Sequence, residues 1–159
     1  TFSKKIDTIL PAERKNNTLF RIMEYLYNQQ TGFLEPNYEL LYITLARKLK
    51  QRSLLLVFSN FEDLSSMEYQ LPYIKKMAGK HLVVVIFFEN TELDAFINTK
   101  AKNLKTIYNK TIAEKLAFEK KLIVRELNRY GVHAILSKPE NLTVDTINKY
   151  LQLKSRGLI

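Results

Sequence analysis

Two hydrophobic rhythms alternate along the second half of this chain. Three short runs are apolar at nearly every position: residues 53–58 (SLLLVF), 81–88 (HLVVVIFF) and 132–136 (VHAIL). A strand that buries one face alternates apolar with polar residues, so unbroken runs predict strands covered on both faces, as in a parallel sheet. Helical patterns separate them. Ser65-Ser66-Met67-Glu68 has the form of a capping box and predicts a helix ending near Gly79. A short helix is expected over 92–98, a long one over 104–130 closed by Gly131, and a last one over 143–154, stopping before Gly157. Gly79 and Gly131 stand just ahead of strands, where glycines end helices in αβ connections. Strands alternating with helices imply an α/β fold with a parallel sheet and helices on both faces.

The first fifty residues read differently. Residues 2–10 alternate partly and end at Pro11, which predicts a short edge strand or a hairpin. Over 18–27 the apolar residues Leu19, Ile22, Met23, Leu26 and Tyr27 keep the 3.6-residue period of an amphipathic helix. A polar loop, 28–36, leads to a second helix expected to turn Tyr38, Leu41, Leu45 and Leu49 inward. No internal repeat or low-complexity stretch interrupts the chain. Its 159 residues are expected to form one domain, 1–159, large enough to build a core unaided.

Composition removes several chemistries. Cysteine is absent, which excludes disulfides, thiolate zinc sites, iron–sulfur clusters and cysteine nucleophiles, and fits a cytoplasmic setting. No apolar run approaches the roughly 20 residues of a membrane span. Thr1 opens the sequence with no signal-peptide pattern behind it, which suggests an excised segment. The net charge is +9, and residues 100–129 concentrate it. Lys105, Lys110, Lys120, Lys121, Arg125 and Arg129 form the main basic patch there, with a second at Arg47, Lys48, Lys50 and Arg52. Such a balance points to nucleic acid, anionic lipid or an acidic partner. A solvated helix face accounts for the patch more simply than nucleic acid does, because no exposed aromatic residues are evident among the lysines.

In open α/β sheets ligands bind beyond the carboxyl ends of the strands. That rim is readable here as Ser59, Asn60, Phe61, Glu62 and Asp63 after the first strand, and Glu89, Asn90, Thr91, Glu92 and Asp94 after the second. Ser137, Lys138 and Glu140 follow the third. The rim is therefore expected to be acidic in a basic protein. It lacks the glycine-rich turns that cradle phosphates, so nucleotide binding is disfavoured. First-turn carboxylates such as Glu68, Glu92 and Asp94 also suit helix N-termini without any ligand. His81 and His133 lie at the opposite, amino ends of their strands and read as satisfied structural histidines. There is no HExxH and no GxSxG, and Ser59 in FSNF lacks the small neighbours of a nucleophile elbow.

The run RSLLLVFSNFED, the later HLVVVIFF and the ending NKYLQLKSRGLI, with Tyr150, Lys154 and Gly157, resemble the C-terminal region of the bacterial "domain of unknown function fifty-eight" family. Members of that family are von Willebrand factor A-like proteins encoded beside MoxR-type AAA ATPases. The opening TFSKKIDTILP and the EPNYELL stretch also fit, so the resemblance covers nearly the whole chain. It implies a three-layer, Rossmann-like von Willebrand factor A-type domain with a mostly parallel sheet. It also implies that a first strand and helix carrying a DxSxS metal loop precede the segment present here, and that membrane association of the full-length protein would run through absent regions, since family members often carry transmembrane helices near the N-terminus. The family's metal site takes an acidic residue where this chain has Asn60, leaving Ser59, Asn60, Glu62 and Asp63 as a degenerate position. No cofactor is expected, since magnesium would lose a charged ligand there.

The function expected on these grounds is that of a non-catalytic interaction module working with a MoxR-type ATPase or its client, in assembly or maturation of envelope or metal-containing complexes. Asn60, Glu62, Asp63, Glu89 and Glu92 would meet the partner's basic surface. The alternative is nucleic-acid or anionic-membrane binding through residues 100–129. A metal-assisted hydrolase built on Glu62, Asp63 and Glu89 is the least supported option, because it needs at least three converging oxygen ligands.

Overall fold

The computed structural model describes residues 1–10, 17–30, 32, 35–61, 63–101 and 103–159. They divide into two compact units, Thr1–Lys48 and Leu49–Ile159.

In the first unit, α1 (Thr18–Tyr27) and α2 (Tyr38–Lys48) follow a knot of polar ties. Residues 2–10 form no strand. One antiparallel bridge joins Phe2 to Ile6, and the Asp7 amide closes on the Thr1 carbonyl at 3.1 Å. The turn returns so quickly that no ladder has room to grow. The Phe2 ring meets Tyr38 edge to face, with centroids 5.4 Å apart. The Asn37 amide donates to the Ser3 carbonyl at 2.9 Å, while the Asn37 side chain caps α2 by accepting from the Leu40 amide at 2.9 Å. Tyr38 is buried; Leu41 and Leu45, expected inward beside it, are half-buried, as is Leu49, which lies past the end of α2.

The second unit is mixed α/β. Its sheet is small, open and entirely parallel, with β1 (Leu54–Phe58), β2 (Leu82–Phe88) and β3 (His133–Ser137) in that spatial order. Leu54 pairs with Leu82 and Phe58 with Ile86; Val84 pairs with His133 and Phe88 with Ser137. Connections run through α3 (Leu64–Ala78) and then through α4 (Thr91–Ile97) and α5 (Leu104–Arg129). A 3₁₀ turn (Pro139–Asn141) leads into α6 (Leu142–Ser155). Side chains alternate across a strand, so β2 feeds two cores. Val84 and Ile86 pack with Leu153 of α6, joined by Leu54, Leu82, Ile135 and Leu142. Val83, Val85 and Phe87 occupy the other face, where α3 and α5 pack on the sheet and Phe87 meets Phe61 ring to ring at 6.2 Å.

Only β2 behaves as the unbroken apolar runs predict. Leu56 and Phe58 of β1 are 41% and 51% exposed. They lie on the α6 face at the edge of the sheet, beyond Leu54, which packs with the Leu153 cluster. The start of α3 also differs from expectation. Its cap is Asp63, whose carboxylate accepts the Ser66 amide at 2.7 Å, so Ser65 begins no capping box and Glu68 falls beyond the first turn. An Asp two residues earlier offers the stronger acceptor for the free N–H groups.

The two helix-ending glycines part company as well. Gly131 takes φ 77°, its amide donates to Asn128, and the Val132 amide reaches the Leu127 carbonyl. That is a Schellman closure, and its apolar pair, Val132 with Leu127, is fully buried. Gly79 keeps right-handed backbone, φ −66°, so its lack of a side chain is not what ends α3.

Candidate functional site

The carboxyl ends of the three strands open into a cleft of about 500 Å³. Its geometry follows from the length of α5. Twenty-six helical residues span roughly 39 Å, against roughly 17 Å for a five-residue strand, so α5 overruns the sheet. The overhanging half packs against α4, and the two helices wall the cleft. Leu93, Leu116, Ala117 and Leu136 supply its apolar lining. Its charged lining is mixed, with Glu89 and Asp94 set against Lys120, Lys121 and Lys138.

Lys120 organises the floor. Its Nζ donates to Asn60 Oδ1 at 2.6 Å and to the Phe88 carbonyl, at the end of the central strand, at 3.0 Å. It thereby joins the tips of β1 and β2 from α5. The side chain is half-buried, and that loss of water holds its amine below the ordinary lysine value. No carboxylate among the described residues pairs with it. The other rim groups serve local structure. Asn90 caps α4 by accepting the Leu93 amide at 3.0 Å. Ser137 donates to Asp145 Oδ2 at 2.6 Å, which fastens β3 to α6.

The predicted acidic rim is only partly assembled. Glu89 and Asp94 line the cleft, and Asn60 lies in it as an acceptor for Lys120. Asp63 turns onto its own helix start; hydrogen bonds from the Ser66 amide and hydroxyl hold its carboxyl below the ordinary range. Glu92 stands in the exposed first turn of α4, outside the lining. Glu62 lies outside the described residues. Among those residues, no three His, Cys, Asp or Glu side chains gather closely enough to hold a metal ion.

The basic patch is likewise divided. Lys120 faces the cleft floor, and Lys110 caps the end of α4 by donating to the Ile97 carbonyl at 2.6 Å and to the Thr99 carbonyl. Lys105, Lys121 and Arg125 are exposed, Arg129 meets Glu126 at 3.7 Å, and exposed Tyr108 and Phe118 stand among them, contrary to the expectation of no exposed aromatic residues there. The distinction was available in the spacing. Lys110, Ala113, Ala117 and Lys120 recur at three- and four-residue steps that lead on to buried Ile123 and Leu127, so both lysines share the inward phase of the helix. Composition alone had grouped them with outward ones.

At the amino ends, His81 is buried and its Nδ1 has no hydrogen-bond partner among the described residues, contrary to the satisfied histidine expected. His133 lies half-buried on the α6 face of β3, and burial, then the cations Lys149 and Arg156, depress its imidazole value. No helix among the described residues is long and apolar enough to cross a membrane. No family model, curated protein or solved structure matches the chain.

Proposed function

We propose that the chain is a non-catalytic interaction module of Rossmann-like, von Willebrand factor A type, and that its partner docks over the carboxyl ends of the sheet. One observation carries the reading. The cleft is continuous, through Leu116, with an exposed apolar row on α5 made of Tyr108, Ile112 and Leu116. These residues recur every four positions and so share one side of the helix, 68%, 42% and 37% exposed in turn. An apolar strip beside a charged cleft has the make-up of a protein interface, with an apolar centre and a polar rim. On the family resemblance the partner is a MoxR-type ATPase or its client, and the lack of cysteine fits a cytoplasmic setting. On this reading Glu89 and Asp94, which line the cleft, would meet basic groups of the partner.

Co-purification of the chain with a MoxR-type ATPase tests the reading. Ile112→Glu with Leu116→Glu is expected to abolish capture, and Glu89→Lys with Asp94→Lys to weaken it. Undiminished capture by both pairs would move the docking surface elsewhere.

A further inference from the structure

We propose that the cleft is a receptor site for a carboxylate carried on an apolar body, the carboxylate resting on Lys120 Nζ and the body on Leu93, Leu116 and Leu136. The inference goes beyond docking, since a free acid would satisfy it without any protein partner.

Three observations converge on it. The first is the state of Lys120. An ammonium group carries three N–H donors, and Asn60 and Phe88 accept two of them, both through neutral oxygens. The third donor has no acceptor among the described residues, in a place where water is already thinned by burial. A charge-assisted bond is stronger and shorter than a neutral one, so an anionic oxygen is the acceptor this position favours. The second is charge balance. Among the described lining residues, Lys120, Lys121 and Lys138 outnumber Glu89 and Asp94 by one charge. Among the described residues none of these five side chains is in an ion pair. A carboxylate on Lys120 would balance that described excess. The third is shape. About 500 Å³ walled by three leucines and Ala117 lies in the size range of ligand pockets, which pair an apolar lining with a few fixed polar groups. A bare inorganic anion would leave those leucines uncovered.

Titration of the whole chain by amide-resolved NMR, with hexanoate against hexanamide, tests the proposal. Hexanoate is expected to shift the amides of Leu93, Leu116 and Lys120 and to bind at least roughly tenfold more tightly than the uncharged amide, as a charge-assisted contact requires. Lys120→Met should remove that preference, while Lys154→Met, on α6 and away from the cleft, should keep it. The comparison of hexanoate with hexanamide on the unaltered chain stands even if Lys120→Met does not fold. The peptide Ala-Ala-Leu with a free or an amidated C-terminus separates the sources of the carboxylate. A stronger response to the free peptide than to hexanoate assigns the site to a chain end, and the reverse assigns it to a small acid. Equal binding of acid and amide in both pairs, or shifts that avoid the cleft, would overturn the proposal. Neither result bears on whether the ATPase is captured.

Discussion

The helix α1 and the strand β2 are both strongly apolar, yet their side chains meet opposite ends. Val83 through Phe87 are all buried, whereas no residue of α1 is, and Leu19, Phe20 and Met23 are 70%, 71% and 61% exposed. Of the sixteen buried hydrophobic side chains among the described residues, Tyr38 alone belongs to Thr1–Lys48. Periodicity therefore specifies an element and its apolar side, but it does not supply the surface that covers that side. β2 gains cover from two neighbouring strands and from helices on both faces; α1 leaves its stripe open. Among its described residues the first unit shows the Phe2–Tyr38 ring contact and a set of hydrogen bonds, each bond worth about 1 kcal/mol net. The second has a continuous core.

The sharpest test of that contrast is truncation. Phe87→Ala is expected to destabilise the chain by about 3–5 kcal/mol, read from denaturant unfolding. Leu19→Ala and Met23→Ala should each stay within about 0.5 kcal/mol, as exposed substitutions do. A loss comparable to that of Phe87 at either α1 position would show that the stripe is covered in solution.

The glycines give the next effect, within the second unit. Gly131→Ala forces a side chain into left-handed backbone and should cost about 1–2 kcal/mol. Gly79→Ala should be neutral or stabilise by up to about 1 kcal/mol, since its backbone is right-handed and an added methyl would meet nothing closer than 3.6 Å. Thermal unfolding of the two variants should shift in opposite directions, or in one direction only for Gly131.

Acid should act on the second unit through His133. Its folded value lies below the ordinary imidazole value of about 6.5, so the folded state binds fewer protons than the unfolded one. Its contribution is then fully present above about pH 6.5 and is lost as pH falls toward the folded value. Lys149→Met removes a neighbouring cation and should raise the His133 value, as followed by imidazole NMR. An unchanged titration would separate the two side chains. Asp63 acts in the same sense at lower pH. Its lowered carboxyl supports folding above the ordinary carboxylate range and withdraws that support as pH falls through the folded value. The smallest effect is expected at His81→Leu, which deletes a buried nitrogen without a partner and should leave stability unchanged or slightly raised.

Much of this was legible in residue order. The strands at 53–58, 81–88 and 132–136, the helices between them and the glycine closure at 131 all follow from local pattern. So does the position of the rim, because parallel strands send their carboxyl ends to one side. The parts that were not legible depend on neighbours. SLLLVF reads like HLVVVIFF, but one is an edge and the other a centre, and strand order is not a local property. Ser65 and Asp63 both suit a helix start, and backbone geometry selected Asp63. Lys120 and Lys121 are adjacent and identical in type; a rotation of 100° along α5 puts one on the cleft floor and the other at its side.

Sequence by itself determined the alternation of elements, the parallel sheet and the side of it on which a site must form, since these rest on periodicity, propensity and the handed geometry of the backbone. Tertiary structure alone decided which apolar faces found cover and which charges turned inward. Burial and charge compensation depend on atoms that are distant in the chain and near in space.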